Sequence, residues 1–282
     1  MDGRTVLVTG ASSGIGLEAA RALAARGARV VMLVRDPARA DAAAASILAT
    51  APAARLERVV ADLASLAEVR RAAAEVRDRF DRLDVLLNNA GAINDRRELT
   101  VDGFERTFAV NHLAAFLLSA ELRDLLVASA PARLITVSSL GHRFARFTWD
   151  DLPYGERGYR ESFAYGASKL CNLWFAREAA RRLAGTGVTS NALHPGAIAS
   201  GFGRDGSWLY RVGMRIGKRV LLTPAKGART SIYLASAPEV ADVTGQYFVR
   251  CKVATPSRAA RDDARAARLW ALSEDLTGVR WP

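Results

Sequence analysis

Tyr165 stands four residues before Lys169 in the stretch Tyr165-Gly166-Ala167-Ser168-Lys169. On a helix that spacing puts the two side chains one turn apart on the same face. A fixed ammonium favours the phenolate form of a neighbouring tyrosine. At ~5 Å and an effective dielectric of ~20, Coulomb's law gives ~3 kcal/mol. That is about two units off a phenol pKa of ~10, which moves it towards neutral pH, where a proton donor and acceptor works best. The same spacing also fits an ordinary helix with one half-buried tyrosine and one solvated lysine. The elements that carry the pair must decide between the two.

The pair falls in 162–184, a helical stretch whose Leu170, Leu173, Trp174, Ala180 and Leu183 supply an apolar stripe. At the other end of the chain, the β-branched run Arg4–Thr9 meets a glycine loop, Gly10-Ala11-Ser12-Ser13-Gly14-Ile15-Gly16. A helix to about Arg26 and a second strand, Ala28–Val34, follow. Strand, glycine-rich turn, helix and strand within some thirty residues form a dinucleotide-binding unit. Its turn needs glycines because the backbone must bend tightly and approach a pyrophosphate at the helix N-terminus.

The alternation continues with a helix from Pro37 to about Thr50 and strand Leu56–Ala61, with Asp62 at its end. A helix over Ser65–Phe80 leads to strand Leu83–Leu87 and then Asn88-Asn89-Ala90-Gly91. One long helical region, Thr100–Ser129, carries Asn111 and precedes strand Arg133–Val137, which ends in Ser138-Ser139. Beyond the Tyr–Lys helix come strand Val188–Leu193, His194-Pro195-Gly196, a helix from Pro224, strand Gln246–Val249 and a last helix over Arg258–Ser273. No repeat, linker or break in composition interrupts 1–282, which reads as one domain. The expected fold is α/β, a Rossmann-type doubly wound parallel sheet of about seven strands with helices on both faces. Such a sheet collects the strand ends on one edge, where ligands bind.

Composition narrows the function classes. Of the 40 basic residues 36 are Arg, and the net charge of +11 is spread over helices that also carry acids, such as Arg70 and Arg71 beside Glu68 and Glu75. This pattern reads as a bias of the source, with no nucleic-acid footprint. One local excess, Arg204, Arg211, Arg215, Lys218 and Arg219, reads as a solvated helix face, with an acidic partner or membrane surface as the minority reading. No apolar run approaches the ~20 residues of a membrane span. Met1-Asp2-Gly3-Arg4 passes straight into the first strand and leaves no room for a signal peptide. Cys171 and Cys251 form no CxxC pair, and His112, His142 and His194 are too scattered for a metal site. A cytoplasmic protein without metal is expected.

TGASSGIG at 9–16, NNAG at 88–91, Asn111, Ser139, YGASK at 165–169 and HPG at 194–196 stand in one order over almost the whole chain. Together they resemble the short-chain dehydrogenase/reductase family. RLITVSSLGH, WDDL and the length of 140–164 are most similar to its retinol-dehydrogenase and WW-domain-oxidoreductase branch, many of whose members carry an N-terminal membrane anchor that is not seen here. The resemblance implies that Tyr165 exchanges a proton with a carbonyl or alcohol oxygen. It implies too that Lys169 lowers the tyrosine pKa and bonds the nicotinamide ribose, and that Ser139 hydrogen-bonds the substrate oxygen. Asn111 would hold a water linking Lys169 to solvent. The implied cofactor cradle comprises Gly10, Ser12, Ser13, Gly14, Ile15, Gly16, Asp62, Leu63, Asn89, Ala90, Gly91, Pro195, Gly196 and Ile198, together with Tyr165 and Lys169.

Each residue also has a plainer reading. Ser138 rivals Ser139, although alignment on the strand end favours the second serine. Tyr154 and Tyr159 rival Tyr165, but Gly158 and Phe163 stand where a lysine would be needed. Asn111 could be an ordinary helix-interior amide. His112 reads as a packed helix residue, His194 as a turn residue and His142 as a candidate for the substrate mouth.

For the cofactor, Asp36 lies at the distance where an acid marks NAD, but the strand ends at Val34 with Arg35 next. Asp36-Pro37 reads as a helix N-cap with proline at N1, and Arg35 is placed for a 2′-phosphate, so NADP(H) is expected. The long connection 140–164 holds Phe144, Phe147, Trp149, Tyr154, Tyr159 and Phe163, and 201–222 holds Phe202, Trp208 and Tyr210. Such loops suit a bulky apolar ketone, aldehyde or alcohol, or else pack on the domain. The expected activity is NADP(H)-dependent interconversion of carbonyl and alcohol. The alternative is a non-catalytic NADP-sensing interaction protein on the same scaffold. Helices around 100–129 and 162–184 offer faces for a homodimer.

Overall fold

In the computed structural model, which describes residues 1–149, 158–196 and 222–281, the strands form one sheet. They are β1 (Thr5–Thr9), β2 (Arg29–Val34), β3 (Arg55–Val60), β4 (Val85–Asn88), β5 (Ala132–Val137), β6 (Val188–His194), β7 (Tyr247–Val249) and β8 (Lys252–Val253). Their spatial order is β3-β2-β1-β4-β5-β6-β7-β8. Every pairing is parallel except β7–β8. The inner strands are short runs of Val, Leu and Ile because a parallel sheet is covered on both faces. β1 is buried at all five positions.

One face carries α1 (Gly14–Ala24), α2 (Pro37–Leu48) and α8 (Pro224–Ser236), whose Leu23, Ile47 and Leu234 pack on Val6, Val8, Val30 and Leu87. The opposite face carries α3 (Leu66–Arg79), α5 (Ala114–Glu121), α6 (Arg123–Ala128), α7 (Glu161–Arg182) and α9 (Asp263–Thr277). There Leu7, Leu86 and Leu134 meet Val69, Phe116 and Phe175, and the chain end adds a cluster of Trp270 and Trp281. Side chains close the starts of α2, α3, α8 and α9: Asp36, Ser65, Thr223 and Asp262 each accept from backbone N–H groups.

Three features depart from the sequence expectation. An eighth strand exists because Arg250 and Cys251, at φ 51° and 61°, turn the chain back after β7. Neither residue type advertises a left-handed turn, and two residues are too few to show alternation. The long helix expected over Thr100–Ser129 is broken. Leu99 bridges Glu105, the first helical piece is the short α4 (Arg106–Phe108), and residues Ala109–Leu113 form a π-turn before α5. Glu105 sets that late start by accepting from the Thr107 and Phe108 amides, both at 2.8 Å. Finally, the last helix begins at Asp263, capped by Asp262, and a 3₁₀ turn over Ala259–Arg261 precedes it.

Candidate active site

The strand order reverses between β1 and β4, so the chain leaves these neighbours in opposite directions and opens a crevice at their carboxyl ends. Thr9 ties the crevice together. Its hydroxyl accepts from the Asn89 and Ala90 amides at 2.9 Å each, and the Asn89 side chain donates to the Thr9 carbonyl at 2.8 Å. Gly10 and Gly14 are left-handed, at φ 68° and 57°. Gly16 is required by packing, since a Cβ there would overlap the Gly10 carbonyl and lie 2.5 Å from Asn89 Nδ2. α1 begins at Ser13 without a side-chain cap. Its first amides are therefore offered to whatever lies at the strand edge. Leu63 lines a small crevice with Thr9, Ala90 and Val110. Asp62 lies just past β3, where it accepts from Ala64 N and takes no part in that strand.

On the other side of the crevice, β5 ends in the two serines. Ser138 is buried and donates to the Lys169 carbonyl at 2.7 Å, which commits its hydroxyl to the fold. Ser139 starts the 3₁₀ turn Leu140–Phe144, and its Oγ accepts from Gly141 N at 3.1 Å. With that lone pair engaged, the hydroxyl proton points elsewhere. The turn lies directly on α7. A Cβ on Gly141 would sit 3.3 Å from Tyr165 Cε1 and 3.5 Å from Ser139 Oγ, so the serine and the tyrosine ring converge on that glycine. A Cβ on Gly166 would lie 2.8 Å from the Gly141 carbonyl. Gly166 thus permits an approach of backbone that a Cβ would push apart, and Gly141 leaves only a tight contact with the Tyr165 ring.

Lys169 is 2% exposed, far from a solvated lysine. Its Nζ donates to the Val137 carbonyl at 3.1 Å and lies 5.7 Å from the Tyr165 ring centroid. Burial pushes its pKa down from 10.5 to about 8. Asn172, one turn on, donates to the same carbonyl at 3.1 Å. Asn111 is not an ordinary helix amide. It sits at the middle of the π-turn, accepts from Ala92 N at 2.6 Å, and donates to Ala92 O at 3.0 Å and Ser168 Oγ at 2.9 Å. Ser168 in turn donates to the Tyr165 carbonyl. Asn111 therefore couples the segment after β4 to the helix of the pair. π-turns of this kind are common at functional sites.

His112 is packed among aromatic rings as expected, whereas the other two histidines are placed otherwise. His142 is 2% exposed and does not line a mouth; its ring bonds Ser139 O and Ser257 N. His194 is the last residue of β6 and 7% exposed, with its ring on Leu140 N. The aromatic connection is divided as well. Phe147 and Trp149 pack on Trp174 of α7, and Tyr159 bonds Asn94 O and Glu105 Oε1. Leu140 and Phe144, beside Ser139, are 43% and 75% exposed. Tyr154, Ile198 and residues 201–221 lie outside the described residues, while Pro195 and Gly196 follow β6 at the same edge. A separate cavity of about 320 Å³ opens between α7 and 253–261, away from the tyrosine.

Some contributions of these residues have no counterpart in the sequence reading. Thr9 and Gly166 sit inside motifs and have a signal in their position, as does His194 in HPG, and His142 is named there for a different role; Gly141 has no signal beyond its place two residues after Ser139.

Asp36 accepts from Ala38 N at 2.9 Å and Arg39 N at 3.2 Å, with Pro37 opening α2. Its carboxylate is a helix cap, as the register indicated. Arg35, at the end of β2, is exposed.

A pattern of the short chain dehydrogenase family matches residues 4–206. Human retinol dehydrogenase 14 is 42% identical, with 99% of this chain and 88% of that protein covered. The WW domain-containing oxidoreductase of Pongo abelii is 40% identical over 99% of this chain and 69% of its own. Among solved structures, an uncharacterized protein from Mycobacterium paratuberculosis shares 37% identity at a TM-score of 0.81, covering 100% of this chain and 96% of its own. Pseudomonas aeruginosa RhlG, in an active-site complex with NADP, shares 28% at 0.71 and covers 88% and 94%. The 3-ketoacyl-(acyl-carrier-protein) reductase of Brucella melitensis, complexed with NADH, shares 25% at 0.68 and covers 88% and 96%. With this fold, this order of motifs and these relatives, the chain belongs to the short chain dehydrogenase family.

Proposed function

We propose that the protein is an NADP(H)-dependent oxidoreductase that interconverts a ketone or aldehyde with an alcohol. The observation that carries this reading is the convergence of Ser139 and the Tyr165 ring on Gly141, with buried Lys169 one turn below. The crevice fits a dinucleotide: glycines hold the β1 and β4 ends close, and the uncapped start of α1 offers amides to a pyrophosphate. Gly10, Ser12, Ser13, Gly14, Ile15 and Gly16 would hold the phosphates. Asp62 and Leu63 would border the adenine, and Asn89, Ala90, Gly91, Pro195 and Gly196 the riboses and nicotinamide. The nicotinamide supplies or accepts the hydride. Ser139 donates a hydrogen bond to the substrate oxygen as negative charge develops there. Tyr165 gives that oxygen its proton in reduction and takes it back in oxidation. Lys169 holds positive charge near the phenol and bonds a ribose. Asn111 keeps the strand edge and α7 in register and connects Lys169 towards solvent through water.

NADP(H) is favoured because Asp36 is spent as a cap and Arg35 is left exposed at the strand end, where a guanidinium matches a 2′-phosphate. A bulky apolar substrate is supported by Leu140 and Phe144, exposed beside Ser139, and by relatives named retinol dehydrogenases. Described helices include none long and apolar enough to cross a membrane.

The test is steady-state reduction of a panel of apolar aldehydes and ketones with NADPH and with NADH. NADPH is expected to give the higher kcat/KM, and Arg35→Ala to lower it by about 10- to 100-fold while NADH changes little. Equal use of both cofactors would overturn the NADP assignment. Tight NADPH binding with no turnover on any carbonyl would favour the non-catalytic reading.

A further inference from the structure

Two imidazoles bracket the turn that presents Ser139. His142 Nδ1 lies 2.6 Å from the Ser139 carbonyl, and Ser257 N–H donates to His142 Nε2 at 3.1 Å. Leu140 N–H donates to His194 Nδ1 at 3.2 Å. These bonds fix the proton on each ring. A carbonyl can only accept, so His142 must carry its hydrogen on Nδ1 and leave Nε2 bare for Ser257. His194 must leave Nδ1 bare for Leu140.

Accordingly, we propose that His142 and His194, each neutral and in a set tautomer, are positioning residues that clamp the Ser139–Gly141 turn so that the Ser139 hydroxyl faces the substrate oxygen. His194 anchors the turn to the end of β6, and His142 anchors it to the segment around Ser257. Arg143 adds a bond from the same turn to Thr255 O at 2.8 Å. Adding a proton to either ring would cost it the bond from Leu140 or Ser257.

The surroundings keep the rings neutral. Burial lowers the pKa of both, His194 to about 4, and the His142 ring lowers that of His194 further. The neighbours that bear on them are Arg143 on the turn, Arg250 after β7 and the Tyr247 ring, edge-on to His142 at 5.5 Å. The Ser139 carbonyl raises the His142 pKa, but burial outweighs it, and no acid stands among these neighbours.

This inference rests on the proposed carbonyl chemistry for its kinetic consequence, and its experiment has two arms. In the first, ¹⁵N spectra of the imidazoles of the intact protein at pH 7 should show His142 protonated on Nδ1 and His194 on Nε2. The opposite tautomer on either ring, or a charged ring, would overturn the clamp whether or not the protein is an enzyme. In the second, His194→Leu should lower kcat by about tenfold while the KM for NADPH stays within about twofold, because a displaced hydroxyl weakens the transition state alone. His194→Asn, whose Oδ1 can accept from Leu140 N, should recover most of that loss. Unchanged kcat in the Leu variant, or equal loss in Leu and Asn, would overturn the clamp and leave the proposed function standing. A parent with the expected tautomers that turned over no carbonyl would support the clamp as geometry and overturn the proposed function.

Discussion

At the residue scale, Lys169 carries a cost that its role must justify. A protein interior disfavours an ammonium, and here burial brings the pKa from 10.5 to about 8. The Val137 carbonyl is the one hydrogen-bond acceptor recorded for Nζ among the described residues. Below pH 8 the folded protein bears the whole penalty of the buried charge. Between pH 8 and 10.5 the folded lysine has lost a proton that the unfolded chain still binds, so stability rises with pH over that window. Lys169→Met removes the ionisable group. Compared with that variant, the parent should therefore gain in unfolding midpoint from pH 7 to pH 10. A difference that stays flat over that range would show that Lys169 is not desolvated as described. The Tyr–Lys spacing was legible in the sequence because helical periodicity fixes which side chains share a face. The depth of Lys169 was not, since it depends on β5 and on Ser138, some thirty residues away.

Elements determine how the serine meets the tyrosine. α7 carries Tyr165, Gly166 and Lys169, and the 3₁₀ turn after β5 can rest on it because Gly141 and Gly166 have no side chains. Gly166→Ala would bring a Cβ within 2.8 Å of the Gly141 carbonyl, and backbone yields less readily than a side chain. Overpacking of this kind costs about 1–3 kcal/mol. The expected outcome is a folded protein with a lower unfolding midpoint and a kcat reduced by about tenfold, both read on the purified variant. Parent-like kcat and midpoint would mean that the close approach of turn and helix is not needed. The strand–helix alternation was readable because buried parallel strands and amphipathic helices leave different periods. The π-turn at Asn111 was not, because it depends on bonds to distant partners, Ala92 and Ser168. The late start at Arg106 was not, because Glu105, which caps the Thr107 and Phe108 amides, is not one of the short polar residues that announce a helix start. Aromatics in 140–164 read equally as substrate wall or packing, and the structure divides them: Phe147 and Trp149 lie on Trp174, while Phe144 faces outward.

Over the whole molecule, the sheet order makes one site from residues far apart in sequence. β1 and β4 diverge and open the crevice, β5 brings Ser139, β6 brings His194, and α7 returns across the sheet with Tyr165. The right-handed crossover rule already forces the strand ends onto one edge, so the set was predictable as a set. Contacts inside it were not, because hydrogen bonds such as Leu140 to His194 span 54 residues and leave no periodic trace. The proposed function turns on one proton transfer, and Tyr165→Phe tests it most directly by keeping the ring and removing the hydroxyl. Once a carbonyl substrate is in hand, the variant should bind NADPH as the parent does and lose at least about a hundredfold in kcat. A Phe variant that reduces the same carbonyl at the parent rate, with NADPH bound, would contradict the account.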